Sequence, residues 1–149
     1  MVTVPTSTTV RELGHGVVRH HVCRAAAAIK KGLQNELTLG DTRAQRDWGH
    51  ARDYVRGMWL SLQHATPDDY LFATGKLHSV QDVIETAFAA LALDWRNHVK
   101  FDAHFLRPAE PLQLVGDASK ARTVLGWSPQ TPFTALIQEM TRAELDTLA

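Results

Sequence analysis

The sequence has a single cysteine, Cys23, and no excess of either charge, since 16 Lys+Arg stand against 16 Asp+Glu. One thiol excludes an intrachain disulfide and a thiolate metal cluster built within the chain. The simplest compartment for such a chain is the reducing cytosol, so a cytoplasmic protein is expected. The even charge balance argues against a non-specific nucleic-acid binder or a binder of acidic membranes, both of which carry a basic excess. Long apolar runs are missing too: the longest clean one, Ala87 to Leu93, is far short of the roughly 18 residues that span a bilayer. The first ten residues lack the basic start and apolar core of a signal peptide. Length is itself a shortage. The 149 residues suffice for one domain, but a dinucleotide-binding domain and a separate substrate domain would not both fit.

Sequence signatures of chemistry are equally scarce. There is no Gly-x-Gly-x-x-Gly or Walker-type loop to cradle a phosphate, and no Gly-x-Ser-x-Gly elbow. Neither Tyr54 nor Tyr70 has a lysine four residues later. Eight histidines are present, but none lies in a His-Glu-x-x-His spacing, and the adjacent pair His20-His21 would diverge on a helix. No metal site is expected.

What is there is an ordinary globular composition, 44% hydrophobic and 21% charged, able to bury a real core. Met1 to about Gly16 reads as an irregular leader. Val17 to Gln34 is Ala-rich and helix-forming, with Lys30 and Lys31 at its end and Gly32 as a stop. Up to Gln34 the chain carries a net +4, either a solvated helix face or a surface turned to a phosphate-bearing ligand. Short strands are expected at Glu36–Leu39, Tyr70–Thr74 and Val99–Asp102, and a turn at Thr66-Pro67-Asp68-Asp69.

A helix capped by Asp53 should run to about His64, with Tyr54, Val55, Met58, Trp59 and Leu62 at helical spacing. Ser79 reads as an N-cap with Asp82 at N3, opening a helix whose apolar stripe is Val80, Val83, Ile84, Ala87, Phe88 and Leu91. A short helix from Asp117 should stop at Gly126. Thr131 as N-cap and Pro132 at the first helical position open a last helix with Phe133, Leu136, Ile137 and Met140 inward. The fold expected is therefore a mostly helical α+β domain with three or four short strands over 17–149, and no doubly wound sheet.

Two stretches combine residues suited to binding. Arg46-Asp47-Trp48-Gly49-His50-Ala51-Arg52-Asp53-Tyr54-Val55 sets two arginines, two aspartates and two large aromatics just before a helix. Arginine offers a planar, permanently charged fork that suits a diphosphate; the alternative is an Arg–Asp structural network around a helix cap. Phe105-Leu106-Arg107-Pro108-Ala109-Glu110 holds an Arg and a Glu three apart across a stiff proline, which could clamp a phosphate and a sugar diol.

Together with Ile29–Gln34, Leu39-Gly40, Met58-Trp59-Leu60, Pro67–Tyr70, Ala73–Gly75, Gly116–Ala121 and Leu125–Pro129, these stretches resemble the C-terminal substrate part of the GDP-mannose 4,6-dehydratases, members of the extended short-chain dehydrogenase/reductase family. The resemblance covers nearly nine-tenths of the chain. It implies an α/β family fragment whose Rossmann domain is absent. The family's NADP-dependent lyase reaction shuttles hydride at C4 of the hexose and removes water across C5 and C6. Its Thr or Ser, Glu and Tyr/Lys catalytic set lies in the N-terminal half, so no catalytic residue is assigned here.

By the same resemblance, Arg46 and Arg107 match arginines that bind the GDP diphosphate, and Glu110 matches the acid near the ribose hydroxyls. The family's NADP-holding stretch aligns only at its end, Arg11-Glu12-Leu13-Gly14, with both arginine positions lost. Where the family has Thr-Arg-Lys, this chain has Arg19-His20-His21. No cofactor-binding residue is assigned, and NADP is not expected to bind this chain alone. The expected partner is GDP-mannose, bound by a truncated and by itself inactive dehydratase. The alternatives are half of a split enzyme working with a separate Rossmann chain, or a non-catalytic binding or helical interaction module, alone or as a homo-oligomer.

Overall fold

The computed structural model describes residues 2–3, 17–102 and 114–148. Along them run β1 (Val2–Thr3), α1 (Val17–Lys30), β2 (Leu37–Leu39), β3 (Gln45–Arg46) and α2 (Ala51–Gln63), then β4 (Tyr70–Leu71), β5 (His78–Ser79) and α3 (Val80–Ala90). A single 3-10 turn at Trp95–Asn97 leads into β6 (Val99–Phe101), α4 (Ser119–Leu125) and α5 (Phe133–Thr147). Helices dominate, and the strands form three two-stranded sheets: β1 with β4 and β2 with β6 in parallel, β3 with β5 antiparallel. The domain is mostly helical α+β, as expected, with six strands of two or three residues among the described residues.

The first core lies between α1, α3 and α5, which all pack on one another. α1 turns Val22, Cys23, Ala25, Ala26, Ala27 and Ile29 inward. Its alanines let neighbouring axes approach closely, toward the about 8 Å limit of helix packing. Gly32, at φ +70°, ends this helix in a left-handed cap in which Gly32 N donates to Ile29 O and Leu33 N to Ala28 O. α3 starts at the Ser79–Asp82 capping box read from the sequence: Asp82 N donates to Ser79 Oγ at 3.1 Å and Ser79 N to Asp82 Oδ2 at 2.7 Å. All six residues of its expected stripe are buried. The β2–β6 pair adds Leu37 and Val99 to the same core.

A second core gathers Tyr54, Tyr70, Phe72, Ala73, Ala118, Ala121 and Trp127, from α2, α4 and the segments around them. Trp127 is at its centre, with Phe72 edge-on at 5.0 Å and Tyr54 stacked at 6.2 Å between centroids. Gly57 of α2 faces the Phe72 ring so closely that a Cβ there would come within 2.5 Å of it.

Four local readings are corrected. α2 begins before Asp53: His50 is its N-cap, with Arg52 N donating to His50 Nδ1 at 3.0 Å, and Asp53 lies inside the first turn. α5 begins at Phe133 with Pro132 as the capping residue and no side-chain cap, and the Thr131 amide donates to Asp53 Oδ2. Within the stretch expected to be an irregular leader, Val2–Thr3 pairs with Tyr70–Leu71; the rest of that leader lies outside the described residues. Among the described residues, the expected strand at Tyr70–Thr74 is paired over Tyr70–Leu71, and Asp47 takes up the amides of Thr74 and Gly75.

Candidate functional site

Arg46 ends β3, where it pairs with His78 while Gln45 pairs with Ser79 at the start of α3. Its side chain is half-buried, and Nη1 donates to Gln45 O at 2.7 Å. The residue next to it is a hub. Asp47 is buried, and its Oδ1 accepts from Thr74 N at 3.0 Å and from the Thr74 hydroxyl. Oδ2 accepts from Gly75 N at 2.9 Å and Gly116 N at 3.3 Å. One carboxylate thus draws two separate stretches of chain, Thr74-Gly75 and Gly116, to the end of β3. Hydrogen bonds to a charged acceptor are among the stronger ones, about 1.5–3 kcal/mol each.

Trp48 follows, buried and stacked on Phe133 at 6.1 Å. Over its face lies the Arg19 guanidinium, 5.8 Å from the ring centroid. Arg19 is itself buried, and burial lowers its pKa, opposed by Cys23 and Tyr54 nearby. Sequence reading counted Arg19 only as part of a basic stretch. The helical arc Arg19, Val22, Cys23, Ala26, at i, i+3, i+4 and i+7, is the signal that would have placed it inward.

The second aspartate of the motif ties α2 to α5. Asp53 Oδ2 accepts from Gln130 N at 3.0 Å and Thr131 N at 2.9 Å, while Asp53 O accepts from Trp127 Nε1 at 2.7 Å. The two aspartates therefore bind backbone amides, which places the structural part of the motif on them. Tyr54 directly follows Asp53; burial, and then the charge of Asp47, push its hydroxyl up to about 12. Burial also raises the Cys23 thiol. Neither is a base at neutral pH, and what these residues offer is charge and shape for binding.

Arg107 and Glu110, with the whole Phe105–Glu110 segment, lie outside the described residues, as does Arg11–Gly14. Of the three predicted binding residues, the structure therefore positions Arg46. Among the described residues, no three His, Cys, Asp or Glu side chains gather as metal ligands, and no helix is long and apolar enough to cross a membrane. The described helix starts, at His50, Ser79, Ala118 and Pro132, do not follow glycine-rich turns.

The GDP-mannose 4,6 dehydratase family model matches residues 7–140. The chain is 46% identical over 133 residues to GDP-mannose 4,6 dehydratase 2 of Arabidopsis thaliana, covering 89% of this chain and 36% of that protein. It is 42% identical to the GDP-mannose 4,6-dehydratase of Sinorhizobium fredii (91% and 43% covered) and 35% identical to that of Homo sapiens (89% and 40% covered). Among solved structures, RMD from Pseudomonas aeruginosa complexed with NADPH superposes with a TM-score of 0.79 at 20% identity, over 91% of this chain and 44% of that one. The UDP-glucose 4-epimerase of Thermotoga maritima with UDP-glucose gives 0.70 at 21% identity, over 99% and 44%. The chain thus spans about two-fifths of the length of the relatives it matches, in their C-terminal part.

Proposed function

The chain belongs to the GDP-mannose 4,6-dehydratase family, and from that premise we propose that it is the nucleotide-sugar-binding part of such an enzyme, with GDP-mannose as its ligand. The observation that carries this reading is the setting of Arg46. It stands at the end of a strand, tied back to the Gln45 carbonyl, beside a carboxylate hub that fixes two further stretches of chain. An arginine whose direction is set before the ligand arrives loses less entropy on gripping a diphosphate.

In this reading Arg107 takes the other side of the diphosphate and Glu110 the ribose hydroxyls. Arg19, charged and buried over the Trp48 ring, adds positive potential to the same side. Hydride transfer at C4 and loss of water across C5 and C6 are assigned to the part of the family fold outside this span. NADP, which that chemistry uses in the family, is held there too.

Calorimetric titration of GDP-mannose tests the proposal. The expected result is saturable heat with the natural chain and at least about tenfold weaker binding with Arg46→Ala, the size of losing one charge-assisted contact. The same titration with Arg107→Ala should weaken binding similarly. Absence of heat with the natural chain, or affinity unchanged in both variants, would overturn it. A GDP-4-dehydro-6-deoxy sugar formed by the chain alone with NADP would overturn the division of labour.

A further inference from the structure

Two histidines tie α5 to its neighbours through glutamates. His20 Nε2 of α1 lies 2.7 Å from Glu144 Oε1, and His50 Nε2, at the start of α2, lies 3.4 Å from Glu139 Oε2. The pairs differ in the setting of the second ring nitrogen. The His20 side chain is 55% exposed, so water can take up a second proton on its ring. The His50 side chain is 14% exposed, and its Nδ1 accepts the Arg52 amide at 3.0 Å as the N-cap of α2. A ring nitrogen that accepts carries no proton. The capping ring is therefore the neutral tautomer, with its hydrogen on Nε2 and turned to Glu139.

Imidazoles take their second proton between about pH 5 and 8. On His50 that proton must go to Nδ1, where it sets a donor against the Arg52 N–H. It also puts a cation at the positive end of the helix dipole. Glu139 of α5 pulls the other way, but its side chain is 57% exposed, and an ion pair in water gains little. Asp47 and Asp53, before and after the ring in the chain, are turned to the backbone amides of Thr74, Gly75 and Gly116 and of Gln130 and Thr131. Arg19 of α1 lies over Trp48, and His78 of β5 lies flat on Phe133 at 3.8 Å between centroids. Arg52 and Arg56 of α2 and Arg142 of α5 are exposed. None of these cations favours a charged ring at His50.

We propose that His50 is an acid-released cap. Protonation of its ring frees the first turn of α2, while the α1–α5 joint at His20 and Glu144 holds. The freed turn follows the Arg46–Trp48 stretch directly and carries Asp53, so acid loosens the joint between the motif and its helix. Losing an N-cap shifts the opening of a helix end by between about twofold and thirtyfold. The inference concerns the cap and does not rest on which ligand the chain binds.

NMR-detected hydrogen exchange of the full chain at about pH 8 and about pH 5.5 tests it. Both values lie above the ordinary carboxylate range. Rates are corrected for the intrinsic effect of pH, and the Arg52, Asp53 and Tyr54 amides are compared with those of α3. Their relative protection should fall at least about fivefold in acid, as the nitrogen spectrum shows His50 Nδ1 gaining a proton. His50→Asn keeps an acceptor at the cap but cannot titrate there, so its protection should be the same at both pH values. His20→Gln should respond as the natural chain does. Constant protection in the natural chain, an equal fall in His50→Asn, or a proton on Nδ1 already at about pH 8 would each overturn the proposal. The Nδ1 measurement uses the natural chain and so decides the matter whether or not a variant folds.

Discussion

The α1–α3–α5 bundle and the α2–α4 unit use the same kinds of residue, yet they differ in how much apolar surface they keep from water. In the bundle, the α3 stripe from Val80 to Leu91 is buried throughout, and α1 and α5 close over it. In the second unit, Trp127, Phe72 and Tyr54 make a tight aromatic centre, while α2 leaves Val55, Trp59 and Leu62 in water. An amphipathic pattern therefore says which side chains are fit for burial. It does not say whether the surface that buries them is in the same chain.

The sharpest way to break the comparison is to truncate one residue in each region. Phe88→Ala in the closed bundle should cost about 3–5 kcal/mol, the usual range for a buried phenylalanine. Trp59→Ser on the open stripe should stay within about 0.5 kcal/mol. Urea denaturation of both variants checks this, and a comparable loss in Trp59→Ser would mean that α2 is buried in the isolated chain.

The joint between the regions comes next. Asp53→Ala strips the acceptor from the Gln130 and Thr131 amides that fasten α5 to α2. It should cost about 2–3 kcal/mol, seen as a lower denaturation midpoint. A neutral result would show that the two regions hold together without it.

Alkali probes the second core alone. An unfolded tyrosine titrates near about 10, whereas Tyr54 in the fold is pushed up to about 12. The folded state thus keeps a proton that the unfolded state loses. Stability from this group is complete below the unfolded value and falls as pH rises through that window, by on the order of 2 kcal/mol. Tyr54→Phe should remove that part of the slope, and an identical slope would refute the burial of the hydroxyl. The smallest effect belongs to the bundle. Ala92 ends α3 at φ +54°, a conformation disfavoured by a Cβ, so Ala92→Gly should stabilise by about 0.5 kcal/mol, read from the thermal midpoint.

Local features were legible in the sequence for a physical reason. Ser79 and Asp82 satisfy each other's amides within one turn, and Gly32 and Gly126 end helices at positive φ, so a short window contains all the partners. Asp53 was misread as a cap because its true partners, Gln130 and Thr131, are 77 and 78 residues away, and because an imidazole at His50 does the capping. The β1–β4 and β3–β5 pairs are two residues long, too short to show any alternation. Of the candidate site, Arg46 could be named from its motif. Arg19 needed the helical arc, and the partition of the motif into gripping arginine and fastening aspartates needed the fold.

Native-state hydrogen exchange of the chain tests the contrast between a closed and an open region most directly. The account predicts that α1, α3 and α5 amides exchange only through global unfolding. The α2 amides from Tyr54 to Leu62 should open locally at lower free energy. Protection of α2 equal to that of α3 would contradict it.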